Sequence, residues 1–508
     1  MRWFRLCAAV LAGLVLASAQ SPTGKWVAKF SSDDEARDIV LALSVESGGK
    51  VTGYVLAPQY EDRIVEGTAS GAQVTFVAER EANNNTRRRS NYSAVLEGDK
   101  LKLTMPTGGN RPPQVIEFTR ASTEAPAPLP PAPPKIALAA PAAVRDNGLA
   151  RTPPMGWNSW NKFRGQVNDK VVREIADAMV KNGMKDAGYV YVNIDDTWES
   201  ARDSQGNIGT NSKFPDMKAL ADYVHGKGLK LGIYSSPGPK TCAGYEASYQ
   251  HEAQDAKTFA AWGIDYLKYD WCSASRVYAP DAATMQAAYA KMGEALLASG
   301  RHMVYSLCQY GMLDVGEWGA KVSGNLWRTT GDISDNWKSM SNIGFDQQPG
   351  REKYAAPGHW NDPDMLEIGN GGMSETEYRT HMSLWSILAA PLLAGNDLRD
   401  VAPGILEILN NKEAIAVDQD KLGRQGVRVS KQGDVEVWAR PLADGGYAVG
   451  LFNRSASAAQ VTALWSDIAF QGAHAVRDLW AHADRGTASG AYAAEVPAHG
   501  VVLVKIAK

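Results

Sequence analysis

Residues 189–198 read YVYVNIDDTW, an aromatic and β-branched run that ends in two aspartates and a tryptophan. Val, Ile and Tyr favour strands, and a strand that is covered on both faces is apolar throughout. The run Tyr189–Ile194 therefore predicts a buried strand, and Asp195 and Asp196 would come directly after its carboxyl end. This pairing of a buried strand with a polar end is the pattern that the surrounding sequence repeats.

Residues 148–425 alternate such runs with amphipathic helical stretches, one of which, Asp169 to Asn182, has Asn168 and Gly183 as caps. Successive strand ends lie about 24 to 40 residues apart, close to the roughly 30 residues of a βα unit. Eight units in this length predict a (β/α)8 barrel. An open doubly wound sheet is the alternative, but no G-x-G-x-x-G follows a predicted strand. The eight predicted strands are Met155–Trp160, Tyr189–Ile194, Leu229–Tyr234, Tyr266–Tyr269, Met303–Leu307, Asn325–Arg328, His359–Asn361 and Leu392–Ala394.

Residues 1–19 have the pattern of a secretory signal peptide. Arg2 and Arg5 precede an apolar run from Ala8 to Leu16, and small residues follow at the expected cleavage site. A retained anchor is the alternative, although the run is short for a bilayer and no stretch of about 20 apolar residues follows it. We therefore expect export to the periplasm or the extracellular space, with no membrane span after cleavage.

Three further segments differ in composition from the barrel. Residues 20–121 alternate apolar and polar residues between glycine turns, which predicts a small all-β domain, a barrel or a sandwich, of unknown role. Its tyrosines 54, 60 and 92 suggest contact with polysaccharide as one role, beside a spacer or a docking module. Residues 122–147 are a Pro/Ala-rich linker, and residues 426–508 predict a C-terminal antiparallel β-sandwich.

The net charge and the cysteine content limit the classes of protein to which this chain can belong. The formal net charge of the 508 residues is −3, so there is no basic excess for binding nucleic acid. Cys7 belongs to the predicted signal peptide, which leaves Cys242, Cys272 and Cys308. In an oxidising compartment three cysteines form one bridge and leave one free thiol, and the spacing alone leaves all three pairings open.

Carboxylates, aromatic rings and amides gather at the predicted strand ends, where a barrel has its active site. Together these groups suit a sugar, since carboxylates accept hydrogen bonds from hydroxyls and rings cover the apolar face. Glycoside hydrolysis needs two carboxyl groups, and Asp270 and Asp332 follow strands 4 and 6 of the predicted barrel. We expect no metal and no cofactor, because there are eight His residues and no His-Glu-x-x-His. The absence of G-x-S-x-G excludes a serine elbow.

Several of these segments resemble glycoside hydrolase family 27, the family of α-galactosidases and α-N-acetylgalactosaminidases. The resemblance covers residues 150–425 in order, and the predicted sandwich extends it to about residue 508. The segments that carry it are Pro154 through Trp160, Asn193-Ile194-Asp195-Asp196, Lys268-Tyr269-Asp270-Trp271-Cys272, Arg328-Thr329-Thr330-Gly331-Asp332 and Gly358 through Met365.

The resemblance implies a retaining double displacement on terminal α-D-galactosyl units, with Asp270 as nucleophile and Asp332 as acid/base. Lys268 precedes Asp270 by two residues, so it shares the strand face and would favour the ionised carboxylate. Burial beside Asp270 would help Asp332 to keep its proton. The resemblance also implies a disulfide between Cys242 and Cys272. The implied substrate contacts are Trp160, Asp195, Asp196, Tyr234, Lys268, Cys308, Tyr310, Arg328 and Asp364.

The sequence departs from the family at Cys308-Gln309-Tyr310, where plant members carry Cys-Glu-Trp. This loop helps to distinguish a 2-hydroxyl from a 2-acetamido group, and it lacks the small Ser paired with Ala of acetamido-accepting members. Asp196, which the resemblance assigns to the 6-hydroxyl, argues against a β-L-arabinopyranoside, which lacks that group. We therefore favour galactose over N-acetylgalactosamine and arabinopyranose. A non-catalytic glycan-binding protein is the alternative from another class.

Overall fold

The computed structural model describes residues 21–30, 37–57, 60–82, 86–105 and 113–508. The predicted signal peptide, residues 1–19, lies outside these described residues. By its internal contacts the chain divides into two compact units after Pro131, within the Pro/Ala-rich segment.

The first unit is a closed barrel of eight antiparallel strands, each paired with the next along the chain and the last with the first. Alternating burial along its strands, as in β5 and β6 below, gives an apolar interior that includes Trp26, Leu41 and Phe118. The strands are β1 (Gly24–Phe30), β2 (Arg37–Val45), β3 (Val51–Ala57), β4 (Tyr60–Ser70), β5 (Gln73–Glu81), β6 (Arg87–Glu97), β7 (Lys100–Met105) and β8 (Gln114–Ser122).

One of the three tyrosines that suggest polysaccharide contact lies inside this barrel and not on its surface. Tyr92 is buried, stacks on Phe76 with a centroid distance of 5.0 Å, and donates a 3.0 Å hydrogen bond to Oδ2 of Asp62. Tyr54 and Tyr60 are half-buried. Interpreting Tyr92 as an exposed aromatic is therefore wrong, because alternation along β6 turns its ring inward.

The second unit contains an eight-stranded parallel sheet that curls into a barrel. All eight predicted strands are present, each shifted by at most two residues at either end. They are β9 (Met155–Asn158), β10 (Tyr191–Asn193), β11 (Lys230–Ser235), β12 (Tyr266–Asp270), β13 (Val304–Cys308), β14 (Leu326–Arg328), β15 (Trp360–Asp362) and β16 (Leu392–Ala394). The predicted (β/α)8 barrel is confirmed.

The ring closes through a residue that follows β15. The backbone N–H of Leu366 donates to the carbonyl of Leu393 at 2.8 Å, and the carbonyl of Leu366 accepts from the N–H of Gly395 at 2.9 Å. On its other side β16 pairs with β9. The carboxyl ends of all eight strands therefore meet at one rim.

Within the described residues, ten α-helices connect and cover these strands. In the predicted helix the side chain of Asn168 accepts from the N–H of Val171 at 3.0 Å, and Gly183 adopts a left-handed φ of 75° just beyond its end. Short 3₁₀ turns replace a helix after β13, which explains the short spacing there. The helices are α1 (Trp160–Phe163), α2 (Asp169–Lys181), α3 (Met184–Ala187), α4 (Met217–Gly226), α5 (Glu252–Trp262), α6 (Ala282–Ala298), α7 (Trp337–Ser341), α8 (Glu375–Ile387), α9 (Pro403–Leu409) and α10 (Lys412–Asp418).

The end of the Pro/Ala-rich segment pairs with the barrel. Ile136 forms a parallel bridge with Tyr278, and Val144 forms one with Val322. Asn147 donates through Nδ2 to the carbonyl of Met303 at 3.0 Å.

A C-terminal β-sandwich follows the barrel, as predicted, with a six-stranded sheet facing a two-stranded one. The sequence predicts five of its strands, at Val435–Ala439, Tyr447–Phe452, Val461–Leu464, Val476–Leu479 and Val501–Ile506. It does not predict β17, β22 and β23, because they are exposed or rich in small residues. The strands are β17 (Val427–Gln432), β18 (Val435–Pro441), β19 (Tyr447–Asn453), β20 (Ala459–Leu464), β21 (Ala473–Asp478), β22 (Ala483–Ser489), β23 (Ala491–Val496) and β24 (Val501–Ile506).

Candidate active site

The predicted site residues all lie at the carboxyl-terminal rim of the barrel. Each belongs to the end of a strand between β9 and β15 or follows it within four residues. Those in strands are Tyr234, Lys268, Asp270, Cys308 and Arg328, those in the loops that follow are Asp195, Asp196, Tyr310, Asp332 and Asp364, and Trp160 begins α1. The barrel thus brings together residues that are up to 204 positions apart in the sequence, from Trp160 to Asp364.

Asp270, at the end of β12, is buried and receives a hydrogen bond at each carboxylate oxygen. Tyr310 donates to Oδ1 at 2.7 Å, and Tyr234 donates to Oδ2 at 3.1 Å. Burial raises the pKa of Asp270 to about 6, although the charge of Lys268 and the bond from Tyr310 act in the opposite direction. The carboxyl group is therefore held in one orientation and is largely ionised above pH 6.

Lys268 has a different partner from the one that the sequence suggests. Its Nζ donates to Oδ2 of Asp195 at 2.8 Å, and the same oxygen accepts from Nδ2 of Asn158 at 2.8 Å. Lys268 still lowers the pKa of Asp270 through its charge, as expected, but burial of Asp270 outweighs that effect. Strand alternation predicts that Lys268 and Asp270 share one face of β12. It does not predict which nearby acid forms the ion pair with Lys268.

Asp196 is 1% exposed and turns both carboxylate oxygens toward backbone donors. Oδ1 accepts from the N–H of Thr197 at 2.7 Å, and Oδ2 accepts from the N–H of Ala243 at 2.7 Å. Burial raises the pKa of Asp196 to about 7, with a smaller upward contribution from Asp195. The loop after β11, which carries Ala243, thus fixes a residue of the loop after β10.

Asp332 is exposed, which contradicts the expected burial. Its side chain is 71% accessible, and it lies in the loop after β14. Arg328 donates through Nη2 to Oδ1 of Asp332 at 3.1 Å and to Oδ2 of Asp364 at 2.9 Å. The charge of Asp332 contributes to the raised pKa of Asp270, so the two carboxyl groups interact. Arg328 also contacts Sγ of Cys308, the register partner of Asp270, at 3.7 Å.

The structure contains the disulfide between Cys242 and Cys272 that the resemblance implies, and Cys308 is free and buried. Sγ of Cys272 lies 3.2 Å from the hydroxyl of Tyr234, and Sγ of Cys242 lies 3.6 Å from that of Tyr310. The disulfide therefore packs against the two tyrosines that bind Asp270. Among the described residues a grouping compatible with a metal ion joins Asp270 to these cysteines, whose sulfurs are already bonded to each other.

Sequence reasoning does not single out three residues that complete the rim. Asn158 binds Asp195, and Asp362, at the end of β15, is buried with a pKa raised by burial to about 6. Glu199 is buried and shares the backbone N–H of Thr197 with Asp196. Asn158 and Asp362 lie inside the quoted motifs Pro154 through Trp160 and Gly358 through Met365, which is a signal that could have found them. Glu199 follows a tryptophan in a loop and carries no such signal.

This arrangement suits acid and base chemistry on a ligand with several hydroxyl groups. A buried carboxylate is held by two phenols, and an exposed carboxyl group lies on the same rim. Around them are five further acids and two cations, Lys268 and Arg328, which offer hydrogen-bond acceptors and donors.

Comparison with known proteins gives matches over the same region. A family model described as "Alpha galactosidase A" matches residues 152–420, and one described as "Alpha galactosidase C-terminal beta sandwich domain" matches residues 432–506. The α-galactosidase of Cyamopsis tetragonoloba is 53% identical over 362 residues, which cover 70% of this chain and 86% of that protein.

Solved structures of α-galactosidases match this chain as well. The structure of α-galactosidase I from Mortierella vinacea matches with a TM-score of 0.69 and 40% identity, over 71% of this chain and 98% of that one. A Bacteroides fragilis structure with 31% identity and a TM-score of 0.68 extends over 96% of both chains. The family model for the barrel matches more than half of this chain, and the relatives are similar to it at the identities given above. The chain therefore belongs to the α-galactosidase family, glycoside hydrolase family 27.

Proposed function

We propose that this chain is an exported α-galactosidase that removes terminal α-D-galactosyl units with retention of configuration. The family and its α-galactosidase relatives support the hydrolytic activity. The observation that carries the mechanism is that Asp270 is buried and hydrogen-bonded by Tyr234 and Tyr310, on the rim that also holds the exposed Asp332. One carboxylate is fixed in place, and the other can exchange protons with solvent.

In the first step the ionised carboxylate of Asp270 attacks C1 of the galactosyl unit. The bond from C1 to the glycosidic oxygen breaks, and Asp332 gives its proton to that oxygen, which leaves as an alcohol. The product is a galactosyl ester of Asp270. Loss of the negative charge of Asp270 in this ester removes a repulsion felt by the now ionised Asp332.

In the second step Asp332 takes a proton from a water molecule whose oxygen attacks C1. The ester bond breaks, Asp270 recovers its carboxylate, and galactose leaves with the configuration of the substrate. Exposure of Asp332 suits this exchange, because water and the departing alcohol both reach it from solvent. Two inversions at C1 give net retention.

The remaining rim residues would hold the sugar. Asp195 and Asp196 accept from the 4- and 6-hydroxyls, Lys268 and Arg328 donate to other hydroxyls, and Trp160 covers the apolar face of the ring. Trp160 is only partly buried, so its indole is available for such contact. Tyr234, Cys308, Tyr310 and Asp364 complete the proposed contacts.

Galactose is preferred over the two related sugars in this proposal. Asp196 is buried with both oxygens oriented, and a site built to bind a hydroxyl discriminates strongly against a sugar that lacks it. That favours galactose over β-L-arabinopyranose. The Cys308-Gln309-Tyr310 sequence disfavours an acetamido group at C2.

Export is supported by the Cys242–Cys272 disulfide, since such bonds persist in oxidising compartments. None of the helices in the described part of the chain is long and apolar enough to cross a membrane. Polysaccharide contact by the N-terminal barrel would depend on Tyr54 and Tyr60, because Tyr92 is buried. Retention of residues 20–121 on insoluble polysaccharide would support that role, and passage through every matrix would exclude it.

A panel of aryl α-galactoside, aryl α-N-acetylgalactosaminide and aryl β-L-arabinopyranoside tests the activity and its specificity. We expect the galactoside to give the highest kcat/KM and the first-formed galactose to be the α-anomer in a proton NMR time course. Asp270→Asn should abolish turnover while the circular dichroism spectrum stays unchanged. Undiminished turnover by the folded variant, or binding without hydrolysis by the wild type, would refute the proposal.

A further inference from the structure

Thr197, directly after Asp196, has a backbone conformation that threonine rarely adopts. Its φ is +87°, in the region that favours glycine, and its side chain is β-branched. A conformation of this kind is strained and persists only where the surroundings enforce it.

Three polar side chains from the same loop bind Thr197. Oε2 of Glu199 accepts from its N–H at 3.2 Å, Nδ2 of Asn211 donates to its carbonyl at 2.8 Å, and Nζ of Lys213 donates to its hydroxyl at 2.9 Å. The N–H, the carbonyl and the hydroxyl of Thr197 are thus all occupied. These contacts hold the left-handed turn in place.

The backbone N–H of Thr197 links the Asp196 carboxylate to that of Glu199. The backbone N–H of Thr197 donates to both carboxylates: to Oε2 of Glu199 and, at 2.7 Å, to Oδ1 of Asp196. That N–H points toward both carboxylates only while Thr197 keeps its turn. Oδ2 of Asp196 is fixed separately by Ala243. Glu199 therefore acts on Asp196 through a shared donor.

The environment of Glu199 is unfavourable for stability alone. Glu199 is 1% exposed, and its Oε1 makes no hydrogen bond within the described part of the chain. Burial raises the pKa of Glu199 well above its usual value, and the charges of Asp196 and Asp195 raise it further. A carboxyl group buried beside two others costs free energy that an apolar residue would not, which points to a role in function.

We propose that Glu199 is a positioning residue for the substrate's hydroxymethyl group: it holds Thr197 in its left-handed turn and thereby directs Asp196 at the 6-hydroxyl. The inference rests on the proposed function, in which Asp196 binds that hydroxyl. Glu199 itself does not touch the sugar. Its contribution should therefore appear only with substrates that carry the hydroxymethyl group.

Two variants and two substrates test this. Glu199→Met keeps the buried volume and removes the acceptor, whereas Glu199→Gln keeps an acceptor oxygen and removes the charge. For each folded variant, kcat and KM are measured with p-nitrophenyl α-D-galactopyranoside and with p-nitrophenyl β-L-arabinopyranoside. The two glycosides share the ring geometry and the leaving group and differ in the hydroxymethyl group.

We expect Glu199→Met to lower kcat/KM for the galactoside about 10- to 100-fold, as small misplacements of a positioning group do. The arabinopyranoside should change less than about 3-fold, and Glu199→Gln should stay within about 3-fold of wild type on both substrates, since the amide oxygen restores the contact. An equal loss on both substrates, no loss on either, or a Gln variant as impaired as the Met variant would overturn the proposal.

Asp196→Asn separates this inference from the proposed function. A loss confined to the galactoside supports the assignment of Asp196 to the 6-hydroxyl, and an equal loss on both substrates refutes that assignment and the inference with it. Failure of the wild type to hydrolyse any galactoside would refute the proposed function. If Asp196→Asn gives the selective loss and Glu199→Met does not, only the role of Glu199 is wrong.

Discussion

The hydroxyl of Tyr310 donates a 2.7 Å hydrogen bond to Oδ1 of Asp270. This bond favours the ionised carboxylate, and burial of the same carboxyl group favours the protonated one. Burial is the larger effect, so the pKa of Asp270 is raised to about 6. Activity that depends on the Asp270 carboxylate should therefore decline as the pH falls through about 6.

Replacing Tyr310 with phenylalanine removes the donor and should raise the pKa of Asp270 further. The acidic limb of the kcat/KM profile, which reports the free enzyme, should move to higher pH. We expect a loss of about 2- to 10-fold below pH 6 and a smaller loss at pH 8. The measurement is kcat/KM for an aryl α-galactoside between pH 4 and 9.

Tyr305→Phe is a matched control, because Tyr305 is a buried barrel tyrosine whose hydroxyl donates to the carbonyl of Tyr289. Its acidic limb should coincide with that of the wild type. An unmoved limb in Tyr310→Phe would show that this hydrogen bond does not govern the ionisation of Asp270.

Asp270→Asn should stabilise the fold above pH 6. The pKa of Asp270 is about 6 in the folded protein and near 3.8 when unfolded, so folding binds protons between these values. The penalty for burying the charge is absent below the lower value, develops as the pH rises and is complete above the higher one. Removing it should add about 1–3 kcal/mol at pH 7.5 and nothing near pH 3.5. Urea unfolding of both proteins at the two pH values measures this, and equal stability at pH 7.5 would contradict it.

Asp332→Ala should affect substrates according to their leaving groups. A nitrophenolate leaves without a proton, whereas the sugar alcohol of melibiose needs one, so we expect a much larger loss of kcat/KM on melibiose. Azide should restore turnover of the aryl galactoside and give α-galactosyl azide, because it attacks the same glycosyl-enzyme without base catalysis. Equal losses on both substrates, with no rescue, would exclude Asp332 as acid/base.

The Cys242–Cys272 disulfide should contribute to stability and to the placement of Asp270. It closes a loop with a sequence separation of 30, for which the chain-entropy model gives about 3–4 kcal/mol. Replacing both cysteines with alanine should lower the free energy of unfolding by roughly that amount. It should also lower kcat, since Tyr234 and Tyr310 pack on the sulfurs. Cys308→Ala, which leaves the disulfide intact, should cost clearly less stability; an equal cost would contradict the assignment.

The barrel could be predicted because its strands have a clear sequence pattern. The run Tyr189–Ile194 is apolar and β-branched, and its acidic end marks the rim. In the sandwich, β23 has the sequence AYAAEV, in which alanine and glutamate give little β-propensity, so tertiary pairing with β20 determines its conformation.

The sequence predicts which strand ends carry the site residues better than it predicts which side chains those residues bind. Strand alternation places Lys268 beside Asp270, but its ion pair goes to Asp195, which lies on another strand's loop. The exposure of Asp332 depends on the path of the loop after β14, and no residue type predicts the left-handed turn at Thr197 or the burial of Glu199. Contacts between distant loops carry no periodic signal in the sequence.

The most direct test of the double displacement is to trap its intermediate. A galactosyl fluoride with a further fluorine on the ring forms the glycosyl-enzyme faster than water can remove it, and acid quenching followed by peptide mass spectrometry locates the label. The account predicts one galactosyl adduct, on the carboxyl group of Asp270, and none in Asp270→Asn. A label on Asp332, or complete turnover with inverted product and no adduct, would contradict it.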